Sequence, residues 1–267
     1  RPSNPNYCGV EACIETLRDG LRSGEKYFDF KRVLFIYAAI AGCEISNSKT
    51  ERISEFIKQL DRPFHLAGDL DASYRAHTDS PNGMLLIAGT GDCVTIYRQS
   101  RPKRFRDSLA FGGRKFGHTL LYYLKHHPSR FAQTCKLIEE LGASIETLCA
   151  LSASALRKDN FVNQLSGILF DHPQTHSELE WLLEFMAVRW ASIVPQQALL
   201  FELQDEDTLP CVLSGSFWNW EPLRTTFTQQ ISGYMNLSIL WNPSIKAIEG
   251  AAGLGLELWN KKEYERC

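Results

Sequence analysis

A short, continuously apolar segment that ends in Gly-Thr-Gly constrains this chain more than any other feature. Residues 84–88 read MLLIA, and the turn Gly89-Thr90-Gly91 follows directly. An apolar run of this length, without polar alternation, is typical of a strand that is covered on both faces of a sheet. The turn would present backbone N–H groups to a phosphate with no side chain in the way. A plain hairpin turn would give the same pattern, so this segment leaves both interpretations open.

Apolar spacing predicts that helices and strands alternate along the first hundred residues. A second continuously apolar run at 32–41 predicts another covered strand, and 93–98 predicts the strand that completes a hairpin with 84–88. The remaining predicted elements are helices at 8–23, 50–60 and 70–77 and a brief strand at 64–66. The basic run at 98–106 (RQSRPKRFR) is interpreted as a solvated loop. This order favours an α/β sheet over a helical bundle.

The pattern changes to helices between residues 117 and 194, and strands return afterwards. Apolar runs at 211–214 and 237–241 predict two more strands, with helices at 221–230 and 247–258. Two α/β regions therefore bracket a helical insert, and the length of the chain fits either one large domain or two modest lobes that share a cleft. We expect two lobes. The first is an α/β lobe of residues 1–100, and the second, residues 101–267, carries a helical insert at 117–194.

Composition narrows the classes of protein that fit. The chain has 267 residues, 44% of them hydrophobic, and a net charge of −2. We expect an ordered protein without the basic surface of a nucleic-acid binder. Eight cysteines, none in a C-x-x-C pair, favour buried free thiols in a reducing, cytoplasmic setting and argue against a zinc site or an iron–sulfur cluster. No apolar stretch has membrane-spanning length, and the first residues lack an initiating Met and a signal peptide, as in a chain that begins partway into a domain.

Four segments occur in an informative order. They are Asp71-Ala72, residues 86–91 (LIAGTG), Gly112-Gly113 and residues 211–223 (CVLSGSFWNWEPL). Together they resemble the N-acetylglucosamine kinase family of the actin-like ATPase superfamily. The corresponding stretches of that family read Asp-Ala, strand-Gly-Thr-Gly-Ser-Asn, Gly-Gly-Trp-Gly and Val-Gly-Ser-Val-Trp-Lys-Ser-Trp-Glu-Leu-Leu. Ser3-Asn4 resembles the family's Ser-x-Asn segment that leads into its first long helix, and the small-residue segment 244–256 resembles the family's closing helix.

The resemblance implies an actin-like ATPase (ribonuclease H-like) α/β fold and ATP-dependent phosphoryl transfer to an amino-sugar hydroxyl, with Mg²⁺ accompanying ATP. Its expected ligands are ATP and an amino sugar, with no nucleic acid and no membrane, and it leaves a homodimer open. The site residues that it implies are Asn4 and Gly113 at the sugar, Asp71 at the sugar and as general base, Thr90 and Gly91 at the γ-phosphate, and Gly215 at the adenosine. The residues alone leave another role for Asp69 or Asp71, which is to cap the helix that follows.

Three departures from the family pattern bear on activity. The strand–turn–strand unit that holds phosphates in these kinases is not found at the start of the chain, and neither is the family's Gly-Asp-Glu-Gly-Ser stretch after Gly113. Asp92-Cys93 replaces Ser-Asn, and a carboxylate at that position would repel nucleotide phosphates unless a metal intervened. Arg114 and Lys115 could contact an anion or be solvated loop cations.

Two hypotheses follow from the sequence. The first is an ATP-dependent N-acetylhexosamine kinase, and the second is a catalytically inactive relative that serves as a binding or scaffold protein. Both depend on residues 69–71, 89–91 and 214–216 converging on one crevice.

Overall fold

The structure is a computed structural model that describes residues 5–43, 48–89, 91–106, 112–151, 155–156, 159–200, 203 and 208–263. The chain divides into two compact units, one formed by Arg1–Asp79 with Ser244–Cys267 and the other by Ser80–Pro243. The lobes expected from the sequence divide the chain elsewhere, after residue 100. The units follow strand pairing instead, because the hairpin that begins at residue 83 pairs with a strand more than a hundred residues later.

Unit one is built from helices around a two-stranded parallel sheet. Strand β1 is Ile36–Ala39 and β2 is Phe64–Ala67, with Ile36 opposite Phe64. Its core includes the buried side chains of Ile14, Ile53 and Phe64. The helices are α1 (Pro5–Cys8), α2 (Val10–Gly24), α3 (Ser48–Lys58), α4 (Asp69–Arg75) and α11 (Ala247–Lys261), with a 3₁₀ turn at Phe30–Arg32.

Unit two contains a five-stranded mixed sheet in the order β5-β4-β3-β6-β7. Strands β3, β6 and β7 are parallel, and β4 is antiparallel to both of its neighbours. The continuously apolar β3 is therefore central, as its composition predicts. The strands are β3 (Gly83–Ala88), β4 (Asp92–Arg98), β5 (Arg101–Arg106), β6 (Leu209–Ser214) and β7 (Leu237–Leu240).

Helices cover this sheet and supply most of the core of unit two. Trp190 of the long helix α9 and Trp218, which follows β6, are both fully buried, and their rings lie 5.4 Å apart. The predicted helical insert corresponds to α5 through α9. The helices are α5 (Gly113–His126), α6 (Ala132–Glu140), α7 (Ile145–Ala150), α8 (Asn160–Phe170), α9 (His176–Leu199) and α10 (Glu221–Ile231), with 3₁₀ turns at Pro128–Phe131, Pro173–Thr175 and Ser216–Asn219.

The basic run at 98–106 is not a loop, so that prediction was wrong. Gln99 and Ser100 both have positive φ, at 51° and 61°, and this backbone joins two strands in a tight hairpin. The chain then continues as β5 at the edge of the sheet. Charged side chains and a proline, here Pro102, are common on edge strands because they disfavour pairing with another sheet.

Two further predictions concern cysteines and membranes. The cysteines in the described part of the chain are free thiols, as predicted, and Cys267 lies outside it. They are Cys8, Cys13, Cys43, Cys93, Cys135, Cys149 and Cys211. Among the helices that the structure describes, none combines the length and the hydropathy needed to span a membrane.

Candidate functional site

Backbone segments meet at the carboxyl end of β3 because they carry glycine. The N–H of Gly113, at the start of α5, donates to the carbonyl of Gly89 at 2.6 Å, and the N–H of Gly89 donates to the carbonyl of Gly91 at 3.0 Å. A Cβ atom on Gly112 would overlap the carbonyl group of Gly91. The turn after β3 and the first turn of α5 are thus in direct backbone contact.

A third segment joins these two from the end of the neighbouring parallel strand. Gly215 follows β6 directly, has φ of 104°, and lies so close to Ala88 that a Cβ would collide with its carbonyl oxygen. The same Cβ would lie 2.8 Å from the backbone nitrogen of Gly89. We call Gly89, Gly91, Gly112, Gly113 and Gly215 the glycine junction. Ligands of open α/β sheets bind at the carboxyl ends of parallel strands, and at Gly89 there is open space where a side chain would be, so a phosphate could approach the backbone there.

Charged side chains border the glycine junction. Asp92, the first residue of β4, has a side chain that is only 6% exposed, and its carboxylate oxygens lie 3.3 and 3.4 Å from Nζ of Lys115. Lys115 is the third residue of α5 and is 37% exposed. A guanidinium nitrogen of Arg114 lies 3.8 Å from where a Cβ on Gly91 would be. The carboxylate that replaces the family's serine is therefore ion-paired, a relation that the sequence did not reveal.

A cation–π contact lies beyond Gly215 in the same unit. The Arg224 guanidinium stacks on the ring of Trp241, 3.5 Å from its centroid, and donates to the carbonyl of Trp218. Burial lowers the pKa of Arg224, and Glu221 acts in the opposite direction. Sequence reasoning missed this pair, although Trp241 directly follows β7. Phe217 and Trp218 are fully buried, so they pack in the core and are not exposed to a ligand.

Unit one carries Asp71 on α4, directly after β2. The helix begins after Gly68, which provides no side-chain cap, and both Asp69 and Asp71 lie in its first turn, where the helix dipole favours negative charge. Neither aspartate is the N-cap residue, so the N-cap interpretation was wrong.

Tyr37 of the two-stranded sheet lies near Asp71. Tyr37 of β1 and His65 of β2 are opposite each other in the register, and their rings stack at 5.5 Å. Burial raises the pKa of Tyr37 to about 12, and the nearby charge of Asp71 contributes to the rise. A half-buried carboxylate beside a neutral phenol can accept a proton from a bound hydroxyl.

Helix α11 fixes the position of α4. A Cβ on Gly250 would overlap the carbonyl oxygen of Ala72, so the two helices touch backbone to backbone. Arg75 of α4 forms ion pairs with Glu257 of α11 and with Asp79. Residues separated by about 180 positions therefore hold the helix that carries Asp71.

The predicted site residues fall into three groups. Gly91, Gly113 and Gly215 each contact Gly89 at the glycine junction in unit two, while their roles at a nucleotide or a sugar stay predictions. Asp71 belongs to unit one, and its convergence with the junction stays a prediction. Asn4 and Thr90 lie outside the described residues.

Side chains that can bind metals are dispersed in the part of the chain that the structure describes. Within it, no group of three or more His, Cys, Asp or Glu side chains is placed to hold a metal ion. An ion that arrives with a nucleotide needs fewer protein ligands, because Mg²⁺ in such sites is held largely by phosphate oxygens and water.

Comparison with known proteins gives a structural match without a sequence match. No family model matches the sequence, and no curated protein matches it. A provisionally assigned N-acetylglucosamine kinase from Porphyromonas gingivalis is similar with a TM-score of 0.64 and 17% identity, over 97% of this chain and 89% of that one. A second, from Chromobacterium violaceum, has a TM-score of 0.63 and 15% identity, over 94% and 87%.

A sugar kinase crystallised with its ligands is also similar. The ROK family glucokinase from Streptomyces griseus, in complex with glucose and AMPPNP, has a TM-score of 0.61 and 12% identity, over 96% of this chain and 89% of that one. Identities this low establish the fold alone. The predicted actin-like ATPase fold is therefore confirmed.

Proposed function

We propose that this chain binds ATP at the glycine junction and transfers the γ-phosphoryl group to a hydroxyl of an amino sugar of the N-acetylglucosamine type. The observation that carries the proposal is the junction itself, which places glycine backbone from three segments at the carboxyl ends of β3 and β6. Support comes from a fold shared with a glucokinase that binds AMPPNP. In phosphoryl transfer, positioning and charge stabilisation supply most of the catalysis, so such a junction has a direct use.

Each candidate residue has a role in this proposal. Backbone at Gly91 would contact the γ-phosphate and Gly215 the adenosine, while Gly113 and Asn4 would contact the sugar and Thr90 the γ-phosphate. Asp71 would accept the proton of the attacking hydroxyl as the new bond to the γ-phosphorus forms and the bond to the bridging oxygen breaks, leaving ADP. Mg²⁺ would neutralise charge on the phosphates.

A second candidate function is nucleotide binding without transfer, in a binding or scaffold protein. The observation that favours it is Asp92, whose carboxylate lies beside the phosphate turn. A negative charge there repels the γ-phosphate from its productive position, so a bound nucleotide would not be turned over. The two candidates share the nucleotide site and differ in turnover.

Calorimetry and a coupled ADP-release assay test the proposal. We expect the wild type to bind ATP, to bind N-acetylglucosamine, and to release ADP only when both are present with Mg²⁺. Asp71→Asn should lower kcat by about 10²-fold or more while the Kd for ATP changes by less than about twofold. Asp61→Asn is the matched control, because Asp61 is an exposed aspartate of the same unit.

The possible results separate the candidates. Binding of ATP without ADP release would support the second function. No binding of either ligand at millimolar concentration would refute both. Turnover that survives in Asp71→Asn would show that another group is the base.

A further inference from the structure

Asp92 is the least expected side chain at the glycine junction. It follows the turn directly and is 94% shielded from solvent, as its exposed fraction of 6% implies. A buried carboxylate is stable only when a partner offsets its charge. Lys115 supplies that partner, with Nζ at 3.3 Å from the nearer carboxylate oxygen. The ion pair joins the start of β4 to the start of α5. Both of these segments border the turn after β3.

The first turn of α5 has an unusual charge. Helix N-termini favour anions, yet the first turn of α5 carries Arg114 and Lys115 directly after Gly113 and has no acidic residue. Asp92 pairs with Lys115, and the formal charges of Arg114, Lys115 and Asp92 (+1, +1 and −1) sum to +1. Arg114 lies over Gly91 and Lys115 is 37% exposed, so both cations are within reach of a ligand on the turn.

We propose that Asp92 takes the place of a nucleotide phosphate against Lys115 while the site is empty, and that ATP binds by exchange of this ion pair. The phosphate then pairs with Lys115 and Arg114, and Asp92 gives up its contact with the ammonium group. Arg114 and Lys115 are the phosphate-binding cations of the site, and Asp92 is an internal competitor that regulates its affinity. This inference rests on the proposed nucleotide binding.

The exchange predicts effects of opposite sign for the two members of one ion pair. Removing the charge of Asp92 frees Lys115 and removes a repulsion, so ATP should bind more tightly. Removing the charge of Lys115 takes away a phosphate contact and leaves the carboxylate unopposed, so ATP should bind more weakly. A pair that only ties α5 to β4 would give both variants the same sign, or no effect on binding, together with a loss of stability.

Calorimetric titration with ATP, AMPPNP and inorganic pyrophosphate tests this difference. We expect Asp92→Asn to lower the Kd by about three- to tenfold and Lys115→Met to raise it by about tenfold. Lys115→Arg should keep most of the affinity, because it keeps the charge. Asp92→Ser is a second variant in case the amide of Asn is not accommodated, and the melting temperature reports folding for each protein.

Lys136 and Glu140 of α6 provide matched controls. They form an exposed ion pair in the same unit, at 3.7 Å. Lys136→Met changes the net charge as Lys115→Met does, and Glu140→Gln changes it as Asp92→Asn does. Both should leave the Kd for ATP within about twofold. Wild-type binding with like-signed or absent effects at positions 92 and 115 would overturn the exchange and leave the proposed function standing. No ATP binding by the wild type would remove both.

Discussion

Gly215 lies against the carbonyl oxygen of Ala88, so the loops after two neighbouring parallel strands touch backbone to backbone. No residue with a side chain suits this position, because φ is 104° and a Cβ would collide with Ala88 and Gly89. The contact brings the loop after β6 onto the turn after β3. The proposed nucleotide site depends on this closeness, since adenosine and γ-phosphate would otherwise meet separate surfaces.

Replacing Gly215 by alanine should open this contact. We expect Gly215→Ala to weaken ATP binding by about tenfold or more and to lower stability by about 1–3 kcal/mol, because the backbone must leave a strained conformation or move away from Ala88. Calorimetry with ATP and thermal unfolding measure the two effects. Gly142→Ala is the control, since Gly142 also has positive φ, of 80°, but has open space around it. Equal effects of the two substitutions on ATP binding would contradict the proposed site.

The strands of the central sheet could be predicted because they are short and continuously apolar. The predicted strand at 84–88 is β3 at Gly83–Ala88, and the one at 211–214 is β6 at Leu209–Ser214. A short, continuously apolar run is typical of strands that are covered on both faces. The 32–41 run is similar in composition, yet only Ile36–Ala39 pairs as a strand, because Asp29 accepts from the N–H of Lys31 and caps a 3₁₀ turn.

Contacts between distant segments could not be predicted. Nothing in local spacing indicates that Lys115 pairs with Asp92 or that Arg224 stacks on Trp241, since each pair depends on where whole elements pack. The division of the chain into two units could not be predicted for the same reason, because it too depends on how distant elements pack. Helix α11 packs on α4 through Gly250, whereas the lobes predicted from the sequence, 1–100 and 101–267, place these two helices apart. Edge strands such as β5 lack the apolar run that identified β3.

Tyr37 should titrate with a pKa of about 12, compared with 10 for an ordinary tyrosine. Burial is the larger cause, and the charge of Asp71 adds to it, so Asp71→Asn should lower the pKa while leaving it above 10. NMR titration of tyrosine ring carbons, assigned with Tyr37→Phe, measures the midpoint. Folding raises this pKa, so the neutral phenol stabilises the folded state fully below pH 10. This contribution to the free energy of unfolding is lost as the pH rises towards 12.

Asp61→Asn, in the same unit, is the control for that titration and should leave the midpoint of Tyr37 unchanged. A midpoint near 10 in the wild type would mean that the phenol is solvated. A midpoint that Asp71→Asn does not move would place the carboxylate too far away to act on Tyr37, and would weaken the case for Asp71 in a structured site.

Glu178 of α9 should stabilise the start of α6. Its carboxylate accepts hydrogen bonds from the N–H of Gln133 at 2.8 Å, and from the N–H and hydroxyl of Thr134 at 2.8 and 2.7 Å. Glu178→Ala should lower the free energy of unfolding by about 1–3 kcal/mol, because Thr134 is buried and loses its acceptor. Denaturant unfolding measures this loss. Glu180→Ala, at an exposed position of the same helix, should change it by less than about 0.5 kcal/mol, and comparable losses in the two variants would contradict the capping role.

Gly250 should be required for the packing of α11 on α4, whereas Gly253 of the same helix should not. A Cβ at position 250 would overlap the backbone of Ala72, while nothing lies within 4 Å of one at position 253. Alanine normally stabilises a helix by about 0.5–1 kcal/mol compared with glycine, so Gly253→Ala should stabilise the protein by that amount.

Gly250→Ala should destabilise the protein by about 1–3 kcal/mol. It should also lower kcat more than the affinity for ATP, because α4 carries Asp71 and would move. Thermal unfolding and the ADP-release assay check both effects. If the two alanine variants were equally stable, the helices could not be in the close backbone contact that positions Asp71.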